Sequence, residues 1–191
     1  MSRRKWIAVS ALILILSMMT CGTAAFFTAD ARAHNVIATG LVSVEVREWT
    51  DGDKTVRAKG TGLTGVMPGT RITRITEVVN TGNAEVYLRL RIDKTVRKAS
   101  GEDADASVVS LTMGEQWERY WEYRDGYYYY KEALAPGAAT AIPVFEGVSF
   151  DAGMDNRYQG CTAEIRVSAF AVQSANNGAD VWSAAGWPDA A

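Results

Sequence analysis

The side chains best suited to chemistry on this chain are aromatic. Trp117, Trp121 and Tyr123 precede Asp125-Gly126, and Tyr127, Tyr128, Tyr129 and Tyr130 follow it. Aromatic pairs across a hairpin stabilise it, and alternate residues of such runs pack inside. Aromatic faces also stack on sugar rings, so Trp117, Trp121, Tyr128 and Tyr130 are a candidate glycan-binding surface beside the packing reading. Catalytic chemistry finds little support. His34 is the sole histidine, which excludes a paired-histidine zinc helix, and there is no Gly-x-Ser-x-Gly elbow to go with it. Gly60, Gly62 and Gly65 have the spacing of a dinucleotide fingerprint, but they sit in a polar stretch ahead of Pro68-Gly69 rather than between a strand and a helix. Asp51 and Asp53, or Asp103 and Asp105, offer oxygen ligands for calcium without the spacing of an EF-hand loop. No catalytic residue, metal ligand or cofactor is therefore expected, and the chain reads as a non-enzyme.

A different chemistry is written at the N-terminus, where small residues suit a peptidase. Arg3, Arg4 and Lys5 form a basic start, and Trp6 to Met19 is an unbroken run of apolar and small residues. That run has the length of a signal-peptide core and is short for a bilayer-spanning helix. Thr23 and Ala25 fit the small −3 and −1 positions of a signal peptidase site, which would make Phe26 the first mature residue. An uncleaved anchor is the alternative. Cleavage takes the net charge from −2 to −5, a balance that favours neither nucleic acid nor an anionic membrane. Of the two cysteines, Cys21 leaves with the signal. Cys161 then stands alone as a small hydrophobe, and stability must come from core packing.

The elements that would position these groups are strands. Residues 41–49 alternate with a valine face, and residues 71–79 are rich in β-branched side chains. Val86, Leu88, Leu90 and Ile92 alternate with Tyr87, Arg89, Arg91 and Asp93, which predicts one face on the core and one toward solvent. Residues 94–105 read as a charged loop, and 108–111 as a short strand. Residues 116–123 and 127–131 read as strands around the Asp125-Gly126 hairpin turn. Strands are also predicted over 145–150 and 162–172, with one short helical turn over 181–187. The spacing of strands and turns predicts an all-β antiparallel sandwich, jelly-roll-like or alternatively immunoglobulin-like, preceded by a signal helix. The expected division is a signal peptide over 1–25, an extended segment over 26–40 and a β-sandwich domain over 41–191.

The stretch Gly22-Thr23-Ala24-Ala25-Phe26-Phe27-Thr28-Ala29-Asp30, with Asn35-Val36-Ile37-Ala38-Thr39-Gly40 after it, resembles the SipW-type signal region of the TasA and camelysin family. Pro68-Gly69, Asn80-Thr81-Gly82, Asp125-Gly126 with the tyrosine run, and Ala135-Pro136-Gly137 are similar too, so the resemblance spans nearly the whole chain. It departs at Phe26, where tyrosine is usual, and at Ile37, where phenylalanine is. The resemblance implies cleavage after Ala25 by a SipW-like signal peptidase and secretion to the extracellular matrix or surface of a bacterium. It further implies biofilm fibres assembled by self-association or with related matrix subunits. Phe26, Phe27, Val36 and Ile37 would then be the anchors of a donor strand that adds to a neighbouring subunit. No nucleic-acid partner and no lasting membrane anchor are expected. A cell-surface adhesin using the aromatic hairpin is the rival reading. A camelysin-type protease is the third, without the histidines a standard zinc protease needs.

Overall fold

A computed structural model describes residues 41–60, 62–63 and 67–188. The expected signal helix, the cleavage residues Thr23, Ala25 and Phe26, and the donor anchors Phe26, Phe27, Val36 and Ile37 lie outside the described residues.

The described chain is built from ten strands. They are β1 (Val44–Trp49), β2 (Gly62–Leu63), β3 (Arg71–Asn80), β4 (Val86–Arg97), β5 (Asp103–Ala104), β6 (Val109–Thr112), β7 (Trp121–Arg124), β8 (Tyr127–Leu134), β9 (Phe145–Phe150) and β10 (Thr162–Gln173). One antiparallel sheet has the order β1-β3-β9-β6. The other has the order β2-β10-β4-β8-β7, with β5 pairing β4. Val78, Phe145, Val148 and Phe150 of the first sheet share one core with Leu88, Leu90, Trp121 and Ile165 of the second, so the two sheets form a β-sandwich. The expected all-β antiparallel architecture is thus met at that level.

The alternation in β4 works as its sequence dictates. Val86, Leu88 and Leu90 are wholly buried, and Ile92 packs on the same core. Three local expectations are corrected. First, β4 runs on to Arg97 through residues expected to be loop, because Val96 is buried and Lys94 reaches the Val109 carbonyl at 2.7 Å. Second, Trp117–Tyr120 is a four-residue helical turn, α1, not strand. Gln116 takes a left-handed conformation (φ 61°) and resets the chain direction before β7. Third, residues 181–183 form a turn rather than a helix, held by Asp180, whose carboxylate accepts from the Ser183 amide at 2.9 Å and the Trp182 amide at 3.1 Å.

Two buried charges interrupt the apolar reading of β3, and each is paired. Arg74 donates from Nε and Nη2 to the Glu48 carboxylate at 3.2 and 2.7 Å. Glu77 accepts from Trp49 Nε1 at 3.1 Å and pairs with Lys54. Losing either partner would strand a charge away from water.

Residues 41–43, just before β1, are held by a backbone clamp on the 80–83 turn. The amides of Thr81 and Gly82 both donate to the Ser43 carbonyl, at 2.9 and 3.0 Å, and Asn83 N donates to the Leu41 carbonyl at 3.1 Å. Buried Asn80 ties this turn to the next, donating at 2.8 Å to the carbonyls of Ala84 and Leu134. Gly82 is required by the close approach: a Cβ there would lie 2.0 Å from the Leu41 carbonyl oxygen. Since the obstacle is backbone, Gly82→Ala is expected to destabilise the domain by about 1–3 kcal/mol, as overpacking does. The check is a urea midpoint, together with faster amide exchange at Thr81 and Asn83.

Candidate functional site

The site starts from strand edges. β4 covers one edge of β10 along its whole length, from Thr162 opposite Arg97 to Gln173 opposite Val86. On the other edge, β2 pairs only at Ala163 and Glu164. From Ile165 to Gln173 that edge carries no ladder among the described residues. β1 pairs β3 on one side. The 50–58 loop doubles back to cover the other side at its far end, where Ala58 N donates to the Glu48 carbonyl at 2.9 Å. Val44 to Arg47 are left without a ladder on that side among the described residues.

These two edges border the same seam, because β1 and β10 pack against each other across the sandwich without pairing. The core beneath is incompletely closed. Ile165 is fully buried, yet Val167, Ala169 and Ala171 farther along β10, Val42 just before β1, and Val44 and Val46 on it are only partly so. Unpaired backbone groups flanking half-buried apolar side chains make a template for another strand. The outer side of β1 is charged rather than apolar. Arg47, and after it Arg57, hydrogen-bond to Glu45 and hold its carboxyl below the usual glutamate range.

The aromatic hairpin is the second candidate, and the structure divides it. Asp125 and Gly126 both take positive φ, at 51° and 82°, so the turn between β7 and β8 is the tight one expected. Tyr130 opposes Leu88 and Tyr128 opposes Leu90, which turns both tyrosines toward the core. The expected surface of Trp117, Trp121, Tyr128 and Tyr130 does not assemble in the open. Trp121 and Tyr130 are 1% and 2% exposed. Trp121 Nε1 donates to the Ile142 carbonyl at 2.9 Å, and Trp117 Nε1 to that of Val144 at 2.8 Å. Tyr130 accepts from Ala141 N at 3.0 Å, and burial pushes its hydroxyl above the ordinary phenol range. Trp117 and half-buried Tyr128 meet edge to face at 6.2 Å.

The other set of tyrosines faces outward, and sequence reasoning missed what meets it. Tyr129 pairs with Arg89, and Phe170 pairs with Arg89 from the far side, so these residues and Tyr127 share the outer face. The segment after β10 folds onto that face and buries Tyr87 beneath Val181 and Trp187. The solvent face expected for Tyr87 and Arg89 is therefore covered. Arg89 lies 4.1 Å from the Tyr127 ring centre and 4.8 Å from that of Trp187, and donates to the Pro188 carbonyl at 3.2 Å.

Among the described residues there is no group of three or more His, Cys, Asp or Glu side chains placed to hold a metal ion. No helix among them is long and apolar enough to cross a membrane. Cys161 is buried, its thiol 3.7 Å from the Arg157 carbonyl. No family model, no curated protein and no solved structure matches the chain.

Proposed function

We propose that this chain is an exported structural subunit that forms or decorates extracellular matrix fibres by β-strand addition. The observation that carries the reading is the seam between β1 and β10, whose edges carry no ladder there among the described residues. An extended segment laid there would satisfy backbone groups of both edges and cover Val44, Val46, Val167, Ala169 and Ala171. The donor is the segment over 26–40 of another copy, freed by cleavage after Ala25, with Phe26, Phe27, Val36 and Ile37 as apolar anchors. A jelly-roll winding suits the reading. Its support is the nesting of pairs, β4 with β8 inside β3 with β9.

A charge in the seam tests it. Ala169 is half-buried on the apolar side of β10, so a lysine there can extend to water in the free subunit but not under an added strand. The chain beginning at Phe26 and carrying Ala169→Lys is expected to stay folded by circular dichroism. Its fibre yield by electron microscopy should fall at least about tenfold, since covering an unpaired ammonium costs more than about 1.4 kcal/mol. Fibres of unchanged yield would show that β10 is not the acceptor.

A further inference from the structure

The outer face of the β2-β10-β4-β8-β7 sheet carries a pocket that neither the core nor the seam uses. Arg124, Asp125, Tyr129, Trp182 and Trp187 line it, with a volume of about 210 Å³. Its wall from the C-terminal segment is locked in place. Asn177 clasps Ala185, donating to its carbonyl at 3.0 Å and accepting from its amide at 2.8 Å. Val181 beneath is 1% exposed and packs on Tyr87 and Val172. Packing accounts for Val181 and for half-buried Trp187. It does not account for Trp182, which stays 37% exposed on a structured turn. The Trp182 ring is held 5.0 Å from Tyr129, with the Arg124 guanidinium 5.9 Å from the indole centre.

We infer that this pocket binds a neutral hexopyranose ring of an extracellular polysaccharide. A pyranose has an apolar C–H face and a rim of hydroxyls. The exposed part of the Trp182 indole, backed by the Tyr129 ring, offers a flat, electron-rich surface for the first. The rim needs donors and acceptors side by side. Arg124 only donates and Asp125 only accepts, and the two stand 3.4 Å apart at the mouth. Their charges offset, which favours a neutral sugar over a uronic acid or a phosphate. The pocket is too small, and its lining too polar, for a long apolar ligand. Because the wall is already ordered, binding would lose little entropy in shaping it. The inference stands apart from the fibre reading, since the pocket lies on the outer face of its sheet and uses none of the seam residues.

The test titrates full-length protein with cellohexaose, mannohexaose and chitohexaose, followed by calorimetry and tryptophan fluorescence. At least one is expected to saturate with a dissociation constant at or below the millimolar range. Trp182→Ala should weaken that binding at least about tenfold, the loss of one stacking surface. Asp125→Asn keeps the turn, because asparagine tolerates positive φ. It tests the rim independently of the aromatic wall, with a loss of about three- to tenfold expected for one charge-assisted hydrogen bond. Absence of binding by all three sugars at about 10 mM overturns the inference. So does binding by both variants as tight as that of the unaltered protein.

Discussion

A chain beginning at Leu41 is expected to be a folded monomer under conditions where the chain beginning at Phe26 makes fibres. Every buried residue of the shared core lies at or beyond Val78, and the partly buried side chains on it begin at Val42. The clamp that seats β1 also survives, because its first partner is the Leu41 carbonyl. Truncation therefore keeps every core residue among the described ones, and sedimentation should give a monomer with a native-like melting transition. What goes is the proposed donor. Fifteen extended residues at about 3.3 Å each can span more than the open edge of β10 from Ile165 to Gln173. A synthetic peptide of residues 26–40 should fill the same seam. At a hundred times its dissociation constant it adds about 2.7 kcal/mol to the truncated domain. For a domain of this size that raises the melting temperature by roughly 5–10 °C. Fibres from the truncated chain at full yield would end the donor-strand reading. A peptide that leaves the melting temperature unmoved would do the same for the seam as acceptor.

What could be read before the structure was whatever depends on near neighbours. Val86, Leu88 and Leu90 declare a core face by alternation alone, and Asp125-Gly126 declares a tight hairpin because both residues tolerate positive φ. The tyrosine run shows where such reading stops. A period of two divides Tyr127 and Tyr129 from Tyr128 and Tyr130, but it does not say which pair points inward. That sign comes from the register with β4, where Tyr130 falls opposite Leu88. The continuation of β4 was hidden because one apolar residue, Val96, sits among charged neighbours and shows no periodicity. Two features left no local trace at all. Val181 and Trp187 cover Tyr87 from nearly a hundred residues away in sequence. The seam arises because β1 and β10, near opposite ends of the described chain, are brought together without pairing to each other, and no other described strand covers their facing edges. Sheet order is a long-range property, and it fixes both candidate sites.

Trp121→Ala is expected to destabilise the domain by about 3–5 kcal/mol, more than Gly82→Ala or any change at the surface. The indole is 1% exposed, leans on Tyr130 at 5.0 Å and donates to the Ile142 carbonyl at 2.9 Å. Truncation removes the largest fully buried side chain among the described residues, opens a cavity between the sheets and leaves Ile142 without that donor. Against a typical domain stability of about 5–15 kcal/mol, such a loss brings the fold near its limit. Trp121→Phe separates the two causes. It keeps most of the packing and drops the hydrogen bond, so a loss nearer about 1–3 kcal/mol is expected, most of it the unpaired carbonyl. Urea unfolding followed by circular dichroism measures both, and an unchanged slope would show that the native and unfolded states keep their compactness. Trp182→Ala is the internal contrast. Its ring is 37% exposed on the outer face, and its removal should shift stability by no more than about 0.5 kcal/mol. The two tryptophans have the same chemistry and differ in what surrounds them. If Trp121→Ala proved mild and Trp182→Ala severe, the division of the aromatic residues into a core set and a surface set would be wrong. The sugar pocket, which depends on Trp182 being spare to the fold, would fall with it.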